Sequence, residues 1–458
     1  MKPPLILVLS IVLLLTACRK DDFISSPDAS VRITADTLHY DTVFTSTGSV
    51  TKSFKIINEN NRRLRLTSVS LAGGSSSVFK INVDGVATST ASGIELAAND
   101  SIYVFVQVNV DPSSANLPFV LRDSISIGYN GVEKQVQLEA WGQNAHFIRD
   151  GEVTGNESWT SDLPYVILGY LRVNENSTLT LGEGCRLYFH ANAPLVVNGS
   201  LRVNGAADSA DRVYFMGDRM DEPYRSYPAG WPGIYFSETS SNNLLRYAVV
   251  RNAYQAVVAL GTAGPYNLEL ENCIIDNAYD IGLLSVGSSI RAENLLVSNC
   301  GKNIVINKGG SYAFSHCTIA SFSNRYMAHQ YPVMTITDSD GTATGALDAV
   351  FSNCIFWGDE GVVDDEVVTG RTTGTAWSLR FDHVLWRQAA PPAGAVLESV
   401  ISNQDPLFFN TDYAEGAFNF RVQEGSPAIN SGKASSVNTD LDGRPRPEWV
   451  PDLGAYES

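Results

Sequence analysis

The repeated stretches NCIIDNAYDIG (residues 272–282) and NLLVSNCGKNI (residues 294–304) decide the fold of the larger part of this chain. The second begins 22 residues after the first, and HCTIAS (residues 316–321) begins 22 residues after the second. Downstream, NCIF at residues 353–356 restarts the pattern after an insertion. Each period holds short apolar runs with Asn or Gly between them, so the repeat is a unit of two or three short strands.

A period of 22–25 residues predicts one turn of a coil whose rungs stack to bury a shared core, which is a parallel β-helix. The pattern extends upstream through RNAY at residues 251–254, LVVNGSLRVNG at 195–205 and LRVNENSTLTLGEG at 171–184. We therefore assign residues 165–402 to the coil. This part of the chain resembles the right-handed parallel β-helix (pectin-lyase-like) superfamily, and the resemblance implies an all-β, right-handed coil.

The repeat also accounts for most of the cysteines. Cys273, Cys317 and Cys354 share one stacking position, with Leu295 in the rung between the first two. Rungs lie about 4.8 Å apart, so Cys273 and Cys317 are too distant for a disulfide, whereas Cys317 and Cys354 could be adjacent. We expect buried, inert thiols and leave one Cys317–Cys354 bond open. The corner residues Asn252, Asn277 and Asn299 are expected to satisfy backbone groups at a sharp turn.

Residues 403–458 form the tail, which resembles the closing segment of many bacterial surface β-helix proteins. We expect a cap that covers the last rung and protects its open edge. Within the tail, Asn438, Asp440 and Asp442 are spaced like the first ligands of a calcium loop. Asn at the first position and Trp449 at the twelfth depart from that pattern, and a metal-free Asx turn explains the same residues. Calcium is the one cofactor that the sequence suggests.

Residues 31–143 show short strands at intervals of 8–14 residues, and Asn130-Gly131 joins the last two as a hairpin turn. Such strands predict an immunoglobulin-like β-sandwich. The stretches KIIN (residues 55–58) and IELAAND (residues 94–100) resemble those of Hydin-type immunoglobulin-like modules, which implies a spacer or docking unit. We expect residues 144–164 to link this domain to the coil.

Residues 1–18 read as an export signal with an apolar run too short to span a bilayer. The ending LTAC resembles the bacterial lipobox, which implies lipidation of Cys18 and a membrane anchor. The following RKDD resembles a surface-export signal of Gram-negative bacteria, and residues 19–30 form a polar tether. The resemblance implies an outer-membrane lipoprotein exposed on the cell surface.

Composition limits the partners. The 458 residues carry 32 basic and 49 acidic side chains, for a net charge of −17. Nucleic acid and anionic membrane surfaces require clustered Lys and Arg, which this sequence lacks. We therefore expect no nucleic-acid partner, and the sequence does not indicate an oligomeric state.

Signatures of polysaccharide-cleaving β-helices are largely missing. Asp338 and Asp340 are the first candidates for a catalytic carboxylate pair, but no Gly-His-Gly or Arg-x-Lys motif accompanies them. Two irregular segments break the rung rhythm, and long loops on a solenoid commonly form its binding face. They contain the candidate ligand-binding residues Tyr224, Tyr227, Trp231, Tyr326, His329 and Tyr331.

Aromatic rings beside carboxylates suit sugar binding, whereas rings that merely pack a loop onto the coil are the competing interpretation. The sequence thus favours a lipid-anchored surface β-helix that binds a glycan or another surface component without turnover. The alternatives are a divergent polysaccharide lyase or glycoside hydrolase on the same scaffold, and a purely structural envelope protein. Fold alone does not decide among them.

Overall fold

The computed structural model describes residues 22–44, 51–109, 119–261, 266–359, 363–412, 414 and 417–458. Cys18 and the rest of the predicted export signal lie outside these residues, so the lipid anchor stays a prediction. The chain divides after Asn144 into two compact units. In the described ranges, no helix combines the length and apolar character needed to cross a membrane.

The first unit consists of two five-stranded sheets, with strand orders β1-β3-β8-β5-β6 and β2-β10-β9-β4-β7. The strands are β1 (Val31–Ile33), β2 (Thr37–Phe44), β3 (Lys52–Asn58), β4 (Leu64–Leu71), β5 (Phe79–Val83), β6 (Val86–Thr88), β7 (Thr90–Leu96), β8 (Ser101–Val108), β9 (Phe119–Tyr129) and β10 (Val132–Gln143). A 3-10 turn spans Gly74–Ser76.

Buried apolar residues alternate with exposed residues along the strands, and the buried ones form the core of this unit. In β8, Ile102, Val104 and Val106 are buried, while the residues between them face solvent. The predicted hairpin at Asn130-Gly131 is confirmed, because Tyr129 pairs with Val132 on either side of it. Both turn residues have positive φ, which this two-residue turn requires.

The second unit is a 25-stranded sheet wound into a coil, in which each strand pairs in parallel with its counterpart in the next rung. Its strands are β11 (His146–Val153), β12 (Asn156–Trp159), β13 (Tyr165–Val173), β14 (Thr178–Leu181), β15 (Arg186–Phe189), β16 (Leu195–Val197), β17 (Ser200–Asn204), β18 (Val213–Gly217), β19 (Ile234–Phe236), β20 (Asn243–Arg246), β21 (Ala248–Arg251), β22 (Gln255–Leu260), β23 (Leu268–Glu271), β24 (Ile274–Asp276), β25 (Ile281–Val286), β26 (Ser289–Glu293), β27 (Leu296–Ser298), β28 (Lys302–Asn307), β29 (Gly310–Ser315), β30 (Thr318–Ser321), β31 (Met334–Thr337), β32 (Leu347–Gly358), β33 (Val367–Gly370), β34 (Trp377–Trp386) and β35 (Val396–Ser402).

The strands fall into three stacks along the coil. Stack A contains β15, β18, β21, β24, β27 and β30; stack B contains β16, β19, β22, β25, β28, β31 and β33; stack C contains β12, β14, β17, β20, β23, β26 and β29. The long strands β11 and β13 contribute to stacks A and B, and β32, β34 and β35 contribute to stacks C and A. The predicted fold class, an immunoglobulin-like sandwich followed by a parallel β-helix, is thereby confirmed.

Inward-facing side chains stack on their counterparts in the next rung. Phe314, Phe351 and Phe381 form one such column, with ring centroids 5.2 and 5.1 Å apart. Each fully buried side chain of this size stabilises the fold by about 1.5–3 kcal/mol relative to exposure. A continuous core of this kind forms only when neighbouring rungs are present.

The coil begins earlier than the expected residue 165. Residues 144–164, expected to form a linker, hold β11 and β12, which pair in parallel with β13 and β14. These strands lack the Asn-Cys repeat, and only alternate positions such as Val153 and Trp159 face the core. The period therefore does not reveal them.

The tail does not cross the end of the coil as expected. It lies along the outer face of stack A, where Leu296, Ile355 and Leu385 point away from the core and pack against tail residues. The tail forms a small antiparallel pair, β36 (Phe408–Asn410) and β37 (Asn419–Val422). Within the described chain, β35 at the end of the coil pairs only with β34. An apolar outer face on stack A explains why the tail covers the side.

The described cysteines are free and buried. Burial raises the pKa of the Cys273 thiol to about 12 and that of the Cys317 thiol well above its ordinary value. Thiols that stay protonated are poor nucleophiles, in agreement with the expected inert ladder.

Candidate functional site

An asparagine ladder marks the corner at which stack A turns into stack B, here named the first corner. Asn252, Asn277 and Asn299 have φ values of 59°, 57° and 51°, so each holds left-handed backbone at the turn. Asn277 Nδ2 donates to Asn252 Oδ1 at 2.8 Å, which links adjacent rungs. The shared corner that the sequence predicted is therefore present.

The ladder also holds the two irregular segments, residues 218–233 (loop 1) and residues 322–333 (loop 2). Asn252 Nδ2 donates to the Arg225 carbonyl at 2.7 Å, and Asn277 Nδ2 donates to the Ser226 carbonyl at 3.1 Å. Asn299 Oδ1 accepts the N–H of Phe322 at 2.9 Å. Both loops therefore lie at the first corner, although they leave stack A four rungs, or about 19 Å, apart.

Tyrosines from the two loops meet above the corner. The Tyr227 ring lies 5.0 Å from the Tyr326 ring and 5.3 Å from the Tyr224 ring, both edge-on. The Arg219 guanidinium carbon lies 3.9 Å from the centroid of the Tyr224 ring, and that of Arg325 lies 4.5 Å from the centroid of the Tyr326 ring. Three residues predicted from separate segments are thus brought together.

A strip of side chains along the same corner continues this aromatic surface. Tyr254 and Tyr279 follow the ladder asparagines by two residues, and their rings stack at 5.7 Å with 46% and 55% exposure. In the next rung Lys302 lies 5.1 Å under the half-exposed ring of Tyr331. The N–H of Tyr254 donates to Trp231 at 2.7 Å, so the strip borders loop 1.

We call these residues the corner site: Tyr224, Tyr227, Tyr254, Tyr279, Lys302, Tyr326 and Tyr331. Tyr254 and Tyr279 were missed by the sequence analysis because they belong to regular rungs. Their equivalent places in the RNAY and DNAY repeats are the signal that could have revealed them. No carboxylate in the described chain forms an ion pair with Lys302, whereas Asp280 in the rung below accepts from Gln255 at 2.8 Å.

Two predicted ligand-binding residues serve the fold instead. Trp231 is 1% exposed, stacks on Phe189 at 4.4 Å and donates its indole N–H to the Arg251 carbonyl. His329 is buried against Glu366, with His329 Nε2 3.1 Å from Glu366 Oε1. Neither side chain is accessible to a ligand, so the expectation for both is corrected: they anchor loops 1 and 2.

The candidate catalytic pair lies elsewhere, at the turn from stack B to stack C. Asp338 is buried and accepts the N–H and hydroxyl of Thr372 at 2.9 Å. Asp340 accepts the hydroxyl of Thr342 at 2.7 Å and the N–H groups of Ala343 and Thr342 at 2.8 Å, and these hydrogen bonds lower its pKa. Both carboxylates hold turns together, and neither adjoins the aromatic loops.

The predicted calcium residues form an Asx turn. Asp440 Oδ1 accepts the N–H groups of Asp442 and Arg444, and its Oδ2 accepts that of Glu457. Asp442 pairs with Arg421, and the carbonyl of Asn438 accepts from Arg446. Across the described ranges, no group of three His, Cys, Asp or Glu residues is placed to hold a metal ion.

A histidine–aspartate pair stands at the base of loop 1. His190 Nδ1 lies 2.7 Å from Asp218 Oδ2, and burial raises the pKa of Asp218 despite this partner. Asp218 Oδ1 is shielded from solvent and has no hydrogen-bond donor among the described residues. The His190 side chain is 53% exposed, so its other ring nitrogen can face solvent.

No protein-family model and no curated protein matches this chain. Among solved structures, a family 123 glycoside hydrolase from Clostridium perfringens aligns with 26% of this chain and 30% of its own length, at 7% identity and a TM-score of 0.19. The PapD-like domain 7 of human CEP192 aligns with 26% of this chain and 89% of its own, at 8% identity and a TM-score of 0.18. The Salmonella enterica SafA pilin–SafB chaperone complex aligns with 27% of this chain and 58% of its own, at 14% identity and a TM-score of 0.18. At these TM-scores the similarities carry no argument about function.

Proposed function

We propose that this protein is a lipid-anchored surface β-helix that binds a glycan at the corner site without cleaving it. The observation that carries the proposal is the convergence of two loops four rungs apart on one exposed tyrosine cluster. Rings that only packed their own loop onto the coil would not need to meet a ring from the other loop. Tyr254 and Tyr279 lengthen the cluster along the coil axis.

The chemistry of the corner site fits a saccharide. Exposed tyrosine rings offer flat apolar faces for the C–H face of a pyranose, and their hydroxyls can hydrogen-bond at the rim. Asp280 can accept from sugar hydroxyls, and Lys302 can donate to them. The asparagine ladder fixes both loops before a ligand arrives, which lowers the entropy lost on binding.

The remaining parts of the chain fit display at a surface. We propose that Cys18 carries the lipid, that residues 19–30 form the tether, and that the sandwich is a Hydin-type spacer. Two or more acyl chains attached to one cysteine suffice for stable membrane anchoring. Exposure on the outer face of a Gram-negative outer membrane is part of this proposal.

The test uses protein from Ser25 onward and a panel of plant, algal and host polysaccharides, with and without calcium. Retention on immobilised glycan and release of new chain ends are measured in the same samples. Retention without product supports the proposal. Release of product contradicts it, and the absence of retention on every glycan contradicts it as well.

Cleavage of the bound polysaccharide is a second candidate function, favoured by one observation. The Asp218–His190 pair borders loop 1, and a buried carboxylate that orients a half-exposed imidazole is a usual arrangement for a general base. Under this alternative, His190→Asn and Asp218→Asn abolish product release and leave retention intact. Asp338→Asn and Asp340→Asn then serve as controls that leave product release unchanged.

A further inference from the structure

The outer face of the sheet β1-β3-β8-β5-β6 in the first unit carries an exposed pair of rings. Tyr103 and Phe105 project from β8, the central strand, and are 43% and 40% exposed. Their centroids lie 5.6 Å apart, with only 15° between the ring planes. Two large rings at the centre of an open sheet face form an apolar patch of the kind that marks interaction surfaces.

Two lysines, neutral polar side chains and one aspartate lie around the rings. Lys55 pairs across the sheet with Tyr103, and its Nζ lies 4.6 Å from that ring. Phe105 lies between Ser53 and Asn82 on the neighbouring strands, and Lys80 pairs with Gln107. Strands β3, β5 and β8 contain no Asp or Glu. The exposed Asp84 directly follows β5, and its N–H donates to the Tyr103 carbonyl at 3.0 Å.

Arginines in both sheets of this unit are compensated. Glu139 pairs with Arg122, Glu95 pairs with Arg63 and Arg65, and Glu59 pairs with Arg32 of β1. In the described chain, neither Lys55 nor Lys80 forms an ion pair. Uncompensated lysines on a protein of net charge −17 favour a negatively charged partner at this face.

Asn82 adds a second, independent observation. Its Oδ1 is shielded from solvent and has no hydrogen-bond donor among the described residues, although it lies beside the exposed Phe105. A buried acceptor without a partner costs free energy. A hydroxyl group that reached it after a small movement of the ring would remove that cost.

We propose that this face, the sandwich platform (Ser53, Lys55, Lys80, Asn82, Tyr103 and Phe105), binds an acidic polysaccharide. The rings contact sugar faces, the lysines pair with carboxylate or sulfate groups, and Ser53 and Asn82 hydrogen-bond hydroxyls. Two lysines are few for a nucleic-acid backbone, which is held by larger cation clusters. This site is separate from the corner site and gives the predicted spacer a binding role of its own.

The test compares retention of the full chain on carboxymethyl cellulose and on hydroxyethyl cellulose, which share a backbone and differ in charge. We expect at least tenfold weaker retention on carboxymethyl cellulose for Tyr103→Ser/Phe105→Ser than for the wild type. Retention of the wild type on carboxymethyl cellulose should fall as salt is added, and this salt dependence should be lost in Lys55→Gln/Lys80→Gln. Trp141→Ser, an exposed aromatic on the other sheet, is the matched control and retains binding. Equal thermal unfolding midpoints show that the variants are folded.

Three outcomes overturn the proposal. If the wild type is retained equally on hydroxyethyl cellulose and carboxymethyl cellulose, the lysines have no role. If it retains single-stranded DNA in preference to carboxymethyl cellulose, the face binds a different ligand. Unchanged retention in Tyr103→Ser/Phe105→Ser removes the role of the rings. Tyr254→Ala/Tyr279→Ala separates the two sites, because it leaves platform binding intact even if the corner site binds no glycan.

Discussion

Asparagines at two corners combine a backbone role with an anchoring role. At the first corner, Asn252 and Asn277 hold loop 1, as described above. At the corner between stacks C and A, Asn272, Asn294 and Asn353 donate to the carbonyls of tail residues 440, 439 and 433. Their left-handed backbone is compatible with Asn, whose short amide also reaches a neighbouring segment.

His316 takes the place of an asparagine in this second ladder and predicts an acid sensitivity. Burial, with a smaller effect of Arg446, lowers the pKa of His316 to about 3 from 6.5. Between these pH values the unfolded chain binds a proton that the folded chain does not, so stability falls as pH drops below about 6.5. At pH 5 the loss is about 2 kcal/mol.

His316→Asn, which restores the residue of the sister rungs, should remove most of this loss. Chemical unfolding of the coil at pH 7.5 and pH 5 measures it, with the exposed His39→Asn as a control that keeps the loss. An equal pH dependence in wild type and His316→Asn would contradict the assignment.

At the scale of elements, the loops depend on anchors that lie in regular rungs. Asn277→Gly retains the left-handed backbone but loses the bonds to Ser226 and Asn252, so we expect a loss of about 1–2 kcal/mol. Asn277→Ala adds about 1 kcal/mol of backbone strain. Limited proteolysis should show earlier cleavage within loop 1 in both variants. A proteolysis pattern identical to wild type would refute the anchoring role.

Loop 2 depends on the buried pair His329–Glu366, and Gly358 lies directly beneath it. A Cβ at Gly358 would clash with Glu366 Oε1 and His329 Nε2. Gly358→Ala should therefore break the pair and cost about 3 kcal/mol. Gly182→Ala, where the nearest contact would be an ordinary 3.4 Å, is the matched control in thermal unfolding. Equal midpoints for the two variants would show that the pair is dispensable.

Sequence periodicity predicted the coil well, because each rung repeats the same corner and core positions. It failed at β11 and β12, where only alternate residues such as Val153 must be apolar because they face the core. It also failed at the tail, whose placement depends on the apolar outer face of stack A. In the corner site, Tyr224, Tyr227, Tyr326 and Tyr331 were predicted. Trp231 and His329 were misassigned because exposure depends on packing that a sequence does not display.

At the scale of the whole molecule, the coil is a scaffold that places distant segments side by side. Residues 227 and 326 are about a hundred positions apart in the chain, yet their rings are 5.0 Å apart because the coil places both loops at the same corner, where the asparagine ladder holds them. The tail, held by the second asparagine ladder, covers the apolar face of stack A on the side of the coil. Such a scaffold leaves the first corner open for a ligand.

A glycan array probed with wild type, Tyr254→Ala/Tyr279→Ala and Tyr227→Ala measures glycan binding at the corner site directly. Tyr214→Ala, a coil tyrosine that faces outward on stack A beside Arg186, is the control. We predict that wild type and the control retain the same glycans and that the corner variants lose at least tenfold in affinity with unchanged unfolding midpoints. Equal retention by all four proteins, or no retained glycan in wild type, would contradict glycan binding at the corner site.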